Sequence, residues 1–202
     1  NLKPIQFGVD NVVHSATKYL GGHNDVTGGV VCGSESFVKK LKEMRKHLGG
    51  TLDPHAAWLL LRSLKTLGLR MERHNSNGMQ VARYLEKHPK VKRVYYPGLL
   101  THPQHSIAKR QMKGFGGVVS FEVDGDFEKT RKFVENLKLC SLAGSLGGAE
   151  TLATQPVTSS HYFVSADDRE KAGITDQLVR LALGIEDSED IIADLEQAFD
   201  KI

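Results

Sequence analysis

The sequence predicts an α/β fold, in which strands and helices alternate along the chain. Short β-branched segments that end in glycine occur at residues 9–14 and 28–33, as in strands buried in a parallel sheet. Longer segments with apolar residues at helical intervals follow them. The composition, with 40% hydrophobic and 25% charged residues, is typical of a soluble globular protein.

The first long helix is predicted after Ser34, a residue type that favours the helix N-cap. Its apolar side chains recur at helical spacing: Phe37, Leu41, Met44 and Leu48.

A second helix is predicted to open at Asp53, with Pro54 at its first position. Apolar residues continue at helical spacing to about residue 88, which indicates one long or broken helix that bridges two domains. We place the boundary near Leu69 and expect that the chain enters the first domain, residues 1–69, partway through. Residues 70–202 then form a second, smaller α/β domain.

Three strands are predicted in this smaller domain, within "VKRVYYPG", "GGVVSFEVDGD" and "QLVRLALGIED". Its last helix carries a single apolar stripe, formed by Ile191, Ile192, Leu195, Phe199 and Ile202.

Several classes of protein are excluded by charge and composition. A net charge of +3, evenly spread, gives no basis for nucleic-acid binding. No apolar stretch approaches the roughly 20 residues that a membrane span needs. Cys32 and Cys140 each lie in an apolar stretch, so we expect reduced core thiols and a reducing compartment. His102 and His105 flank a proline and have no cysteine or carboxylate nearby, so no metal site is predicted.

Lys18 is the first candidate for chemistry. It lies beside Ser15 and Thr17 and just before the pair Gly21–Gly22. Hydroxyls and free backbone N–H groups in such a turn suit a phosphate, and a lysine amine with a lowered pKa can condense with an aldehyde. A small molecule that carries both groups is pyridoxal 5′-phosphate. The alternative is a solvated lysine in a loop.

Arg180 is the second candidate. In the strand around it, Val179, Leu181 and Leu183 face one side, which leaves Arg180 on the other with small neighbours. A guanidinium in this place can hold a carboxylate at two points. The alternative is an arginine that faces solvent.

Six motifs in order along the chain resemble the cystathionine γ-synthase, cystathionine γ-lyase and methionine γ-lyase family of pyridoxal-phosphate enzymes. They are "HSATKYLGGHNDV", "KTLGLRMERH", "YYPGL", "HPQHSIAKRQM", "SLGGAETL" and "LVRLALGIED". The resemblance covers essentially the whole chain. It implies a fold of type I, like that of aspartate aminotransferase. Residues 1–69 would be the end of the cofactor-binding domain, with a mostly parallel sheet, and residues 70–202 the small C-terminal domain.

The resemblance also implies roles for single residues. Lys18 matches the lysine that binds the cofactor and shuttles protons, and Ser15 and Thr17 match hydroxyls that hold the cofactor phosphate. The expected cofactor is therefore pyridoxal 5′-phosphate.

On the substrate side, Arg180 matches the arginine that binds the α-carboxylate of the amino acid. Ser145 matches a residue whose backbone lies by that carboxylate, and Ser160 is expected to orient Arg180; turn residues are the alternative for both serines. Gly144 stands where cystathionine γ-lyases usually carry glutamate and methionine γ-lyases a small apolar residue.

The expected reaction is γ-elimination or γ-replacement on a sulfur amino acid, with methionine γ-lyase as an alternative. The family's aspartate for the pyridine nitrogen, its stacking tyrosine and its phosphate loop would lie before Asn1. We therefore expect the N-terminal half of the same protein as a partner, and a homo-oligomer, a tetramer in this family. A truncated or proteolysed fragment without activity is the other reading. The expected location is the cytoplasm, or a plastid if a transit peptide precedes the chain.

Overall fold

The structure, a computed structural model, describes all 202 residues and confirms the alternation of strands and helices. The strands are β1 (Val12–Ser15), β2 (Gly29–Cys32), β3 (Val91–Tyr95), β4 (Val118–Val123), β5 (Ser141–Leu142), β6 (Leu152–Thr154) and β7 (Leu178–Ala182). The α-helices are α1 (Glu35–Leu48), α2 (Pro54–Leu64), α3 (Leu67–Lys87), α4 (His105–Gln111), α5 (Phe127–Glu135), α6 (Ala166–Lys171) and α7 (Ser188–Phe199). No helix is both long and apolar enough to cross a membrane.

Five strands form one mixed sheet in the order β3-β4-β7-β6-β5. All neighbours pair antiparallel except β5 and β6, which are parallel. The three strands predicted from sequence, now β3, β4 and β7, are confirmed. Strand β7 is central, and its Arg180 lies opposite Ser120 on one side and Thr154 on the other.

A core of 19 buried residues covers one face of this sheet. Val179 and Leu181 of β7 both belong to it, which confirms the alternation predicted around Arg180. The rings of Phe133 on α5 and Phe199 on α7 lie 4.3 Å apart between their centroids. Because α7 buries Phe199 and its neighbours along one stripe, the predicted apolar face is the face that packs on the sheet.

The first two strands differ from expectation. β1 and β2 pair antiparallel with each other, not in parallel, because the intervening segment folds back and reverses the chain direction. Both are largely exposed: Val13 is 73% and Val31 39% accessible. Cys32 on β2 is exposed as well, so the predicted core thiol is wrong there; Cys140 is buried, as expected.

The helix starts agree with the sequence. Ser34 Oγ accepts from the backbone N–H of Phe37 at 3.3 Å, and Asp53 caps α2 by accepting from the N–H groups of His55 and Ala56. The predicted long helix is broken between α2 and α3. The proposed boundary near Leu69 therefore falls in the first turn of α3, and the division into two domains stays a prediction.

Candidate active site

Lys18 lies in a tight turn that follows β1. Residues Ala16–Leu20 form a π-helical turn, closed by hydrogen bonds from Gly21 N to Ala16 O at 2.8 Å and from Gly22 N to Lys18 O at 2.7 Å. Lys18 itself has φ −94° and ψ −130°, outside the helical region. The backbone thus turns sharply at the lysine, and its half-buried side chain projects from that point.

The base of the turn is tied to β2 by Thr17. Its hydroxyl accepts from Gly28 N at 3.1 Å, and Ala16 N donates to Gly28 O at 2.8 Å. Ser15 is exposed at the end of β1. Of the two hydroxyls assigned to a phosphate, one therefore braces the turn and the other faces outward beside it.

Ser145 joins the two main candidates. Lys18 Nζ donates to Ser145 Oγ at 2.9 Å, a contact between residues 127 positions apart. Arg180 Nη2 donates to the backbone carbonyl of Ser145 at 3.0 Å. All three side chains are half-buried. An amine and a guanidinium therefore converge on one residue, with the serine between them.

Arg180 retains donor capacity for a ligand. Its Nη2 bonds Ser145, but its buried Nε has no hydrogen-bond partner in the chain. A buried donor without a partner is costly, so a ligand that accepts from it would stabilise the arrangement. A carboxylate is the matching group, because its two oxygens suit the planar guanidinium.

This donor set fits pyridoxal 5′-phosphate and an amino-acid substrate. The amine of Lys18 matches the aldehyde of the cofactor, and the unpartnered Nε of Arg180 matches the substrate carboxylate. The cofactor, when bound, would supply an electron sink next to that amine.

Ser160 does not join this group. It is exposed, and its Oγ lies 2.9 Å from Nδ1 of the adjacent His161. The contact that the sequence assigned to Ser160 is made by the carbonyl of Ser145, which accepts from Arg180. The loop after β6 carries Ser160 outward, so it does not orient Arg180 here.

Gly147 is a residue that sequence reasoning missed. It has φ +82°, and a Cβ there would lie 2.6 Å from Tyr19 N and 3.0 Å from the carbonyl carbon of Lys18. Only glycine allows this approach. The loop that carries Ser145 and Gly147 thus packs directly on the Lys18–Tyr19 peptide. The signal in the sequence is the pair of glycines in "SLGG".

Arg70 was missed too. It is 4% exposed, and its Nη1 donates to the carbonyl of Tyr19 at 2.8 Å. The signal is that Arg70, His74 and Asn77 occupy the same helical repeat as the buried Val81. Polar residues on the buried stripe of a helix are uncommon unless they have partners.

Burial shifts the pKa values of two aromatic side chains behind the lysine turn. Burial lowers the pKa of His74, partly offset by its bond to Leu183 O, and burial raises the pKa of Tyr19. The two rings meet edge to face, with centroids 5.0 Å apart. In both cases burial favours the uncharged form of the ring, so Arg70 is the cation that contacts the turn from this side.

Comparison with known proteins identifies the family of the chain. Residues 1–200 match the model of the family described as Cys/Met metabolism PLP-dependent enzyme. The chain is 52% identical over 202 residues to cystathionine gamma-synthase 1, chloroplastic, of Arabidopsis thaliana, covering 100% of this chain and 36% of that protein. It is 50% identical to L-methionine gamma-lyase of Fusobacterium nucleatum subsp. polymorphum, covering 99% and 51%.

A solved structure is also similar: cystathionine gamma synthase from Xanthomonas oryzae pv. oryzae, in complex with aminoacrylate and cysteine. The TM-score is 0.95 at 43% identity, and the match covers 99% of this chain and 52% of that one. The chain thus spans between 36% and 52% of the length of these proteins. The predicted type I fold and the predicted resemblance are confirmed. The chain belongs to the Cys/Met metabolism family of PLP-dependent enzymes.

Proposed function

We propose that this chain supplies Lys18, Ser145 and Arg180 to an enzyme that eliminates or replaces the γ-substituent of a sulfur amino acid. The reaction is of the cystathionine γ-synthase or γ-lyase type. The observation that carries the proposal is the double contact of Ser145, whose hydroxyl accepts from Lys18 and whose carbonyl accepts from Arg180.

Each residue has a defined task. Arg180 binds the α-carboxylate through its guanidinium, whose buried Nε has no partner in the chain. Lys18, held at its Nζ by Ser145, moves a proton at the substrate Cα. The phosphate is held at the start of the turn by the exposed Ser15 and by Thr17, whose hydroxyl also accepts from Gly28 N. Fixing the carboxylate restricts how the substrate is oriented relative to the amine, which is a positioning effect.

Methionine γ-lyase is the second candidate. Gly144 is the residue that favours it, while the identities of 50% to the Fusobacterium enzyme and 52% to the Arabidopsis synthase do not separate the two. This residue is exposed, and a Cβ there would meet nothing within 4 Å. The position next to Ser145 thus has no side chain with which to bind the distal end of a long substrate such as cystathionine.

The rest of the active site is proposed to come from a segment that precedes Asn1. The relatives above are about two to three times as long as this chain, and large apolar side chains are open on the β1–β2 pair and on α2. Val13 is 73%, Trp58 56% and Leu61 65% exposed. Patches of this kind mark surfaces that are covered in the native assembly.

We propose further that the enzyme is a homo-oligomer, a tetramer as in its family. The proposed location is the cytoplasm, or a plastid, in keeping with the chloroplastic relative in Arabidopsis.

The test is a substrate comparison on the polypeptide that includes the preceding segment. Cystathionine, methionine and an activated homoserine are assayed separately, with and without cysteine. A γ-synthase forms cystathionine from the activated homoserine and cysteine, whereas a γ-lyase releases a keto acid and ammonia. Lys18→Ala serves as the control and should abolish each reaction. Turnover that persists in this variant would refute the assignment of Lys18.

A further inference from the structure

Arg70 is a buried cation that points at the lysine turn. It lies in the first turn of α3 and is 4% exposed. Its three nitrogens each have a partner: Nη1 donates to Tyr19 O at 2.8 Å, Nη2 to Ser63 O at 2.9 Å and Nε to Thr66 Oγ1 at 3.1 Å. The guanidinium therefore spans the end of α2, the start of α3 and the turn.

The space around this side chain is shaped to admit it. Gly22 has φ +67°, and a Cβ there would lie 2.0 Å from Arg70 Nη1. None of the three acceptors is a carboxylate, and burial lowers the pKa of Arg70. Burying a cation without a counter-charge is unfavourable, so these neutral acceptors must offset its desolvation.

One of the acceptors is next to Lys18. The Tyr19 carbonyl lies one residue beyond the lysine. At Lys18 itself, a ψ of −130° takes the backbone out of the helical path. Arg70 fixes this carbonyl from one side, and the backbone of Gly147 presses on the Lys18–Tyr19 peptide from another. Together they determine the direction in which the Lys18 side chain leaves the backbone.

The same face of α3 also holds the strand of Arg180. His74 Nδ1 donates to Leu183 O at 2.8 Å, and Asn77 Nδ2 donates to Gly184 O at 3.1 Å. Both acceptors lie just after β7. The helix α3 thus contacts both the turn that carries Lys18 and the end of β7, the strand that carries Arg180.

We propose that Arg70 is a positioning residue for Lys18. It acts through the Tyr19 carbonyl and keeps the Lys18 amine in a fixed position relative to the Arg180 guanidinium. The proposal rests on the function proposed for Lys18. It predicts that loss of the guanidinium loosens residues 16–24 while the five-stranded sheet stays intact.

The test compares Arg70→Met and Arg70→Lys with Arg73→Met in the full-length protein. Arg73 is exposed on the following turn and serves as the matched control. Hydrogen–deuterium exchange is read by mass spectrometry over residues 16–24 and over β4 and β7. We expect exchange in residues 16–24 to rise about tenfold or more in both Arg70 variants, as for the loss of a hydrogen bond from a charged group. Exchange in β4, in β7 and in the control should not change.

The second readout is covalent labelling of Lys18 by pyridoxal phosphate and borohydride. Labelling should slow by a similar factor in both Arg70 variants. Arg70→Lys keeps the positive charge but loses the planar guanidinium, because one ammonium cannot reach all three acceptors. It therefore separates the effect of shape from the effect of charge. It also supplies the measurement if Arg70→Met does not fold.

Unchanged exchange in residues 16–24, uniform acceleration across the sheet, or full recovery by lysine would each overturn the proposal. A wild-type protein that is never labelled at Lys18 would instead refute the proposed function. The exchange data would still show whether Arg70 holds the turn.

Discussion

At the scale of single residues, Ser145 contributes through two different groups. Its hydroxyl accepts from Lys18, and its backbone carbonyl accepts from Arg180. A change of side chain removes only the first contact, since the carbonyl belongs to the backbone. The amine and the guanidinium can therefore be perturbed separately.

Arg180→Ala should weaken substrate binding and leave the bound cofactor in place. Removing one member of a buried charge pair costs roughly 2–5 kcal/mol, which corresponds to a rise in KM of at least about thirtyfold. Steady-state kinetics and the visible absorbance of the cofactor measure the two effects. Arg83→Ala, an exposed arginine on α3, is the control. Equal KM values in the two variants would remove Arg180 from the substrate site.

His74 should make stability fall at acid pH. It is fully buried, and burial lowers its pKa, so its folded value lies below the ordinary value of about 6.5. Above that pH the shift has no effect on stability. As the pH falls below it, the unfolded state takes up the proton first, and stability is lost toward the folded pKa.

Urea unfolding at a series of pH values between about 7 and 5 measures this loss, about 1.4 kcal/mol per unit of pKa shift. His74→Gln should flatten the dependence, and the exposed His47→Gln should leave it unchanged. Identical curves for wild type and His74→Gln would contradict the account.

At the scale of elements, the site depends on how loops approach one another. Besides the bond between Lys18 and Ser145, the loop of Ser145 contacts the lysine turn and the residues just after it at two other places. Gly147 contacts the peptide after Lys18, and Asn24 donates to Glu150 at 3.1 Å. Both contacts join segments that are far apart in sequence.

Gly147→Ala should push these loops apart. A left-handed backbone costs a non-glycine residue about 1–2 kcal/mol, and the added Cβ would also meet Tyr19 N at 2.6 Å. We expect the free energy of unfolding from urea titration to fall by more than this backbone cost. Gly144→Ala is matched to it, because a Cβ there meets nothing within 4 Å. If both variants lose the same stability, the close approach at Gly147 is unimportant.

Local signals predicted elements well, and non-local contacts could not be predicted in the same way. The caps Ser34 and Asp53 depend on backbone groups two or three residues away, so the sequence shows them directly. The contact between Lys18 and Ser145 spans 127 residues. Spacing alone gave no sign of it, and the family resemblance placed Ser145 only near the carboxylate.

The predictions that were wrong or missing also concern contacts between segments that are apart in the sequence. Strands β1 and β2 look like parallel core strands because their composition is apolar, but pairing direction is set by the path of the intervening chain. Cys32 is exposed because the β1–β2 pair is largely uncovered in this chain. Arg70 was overlooked because two of its three partners are backbone carbonyls, which every sequence has.

At the scale of the whole molecule, the two parts of the chain differ in burial. The five-stranded sheet and its helices bury a core of 19 residues, whereas the cluster beneath the lysine turn contains three. A cavity of about 560 Å³ between β2 and α1 is lined by apolar side chains that include Val31 and Leu41. The first part therefore leaves apolar surface uncovered on the β1–β2 pair, α1 and α2.

The 202-residue chain alone should accordingly self-associate, bind pyridoxal phosphate poorly and show no useful turnover. Exposed apolar faces drive association, and a cofactor held from one side is a weak electron sink that is readily lost. Analytical ultracentrifugation gives the oligomeric state, and a γ-elimination assay with added cofactor gives the activity. The control is the same chain mixed with the separately expressed preceding segment. A stable monomer with full activity would contradict this prediction.

The central claim is that Lys18 is the residue that bonds the cofactor, and reductive trapping tests it most directly. The full-length protein is loaded with pyridoxal phosphate, reduced with borohydride, digested and mapped by mass spectrometry, with Lys18→Arg as the control. The account predicts a single pyridoxyl label in the peptide that contains Lys18, and no specific label in the variant. A specific label on any other lysine would contradict it.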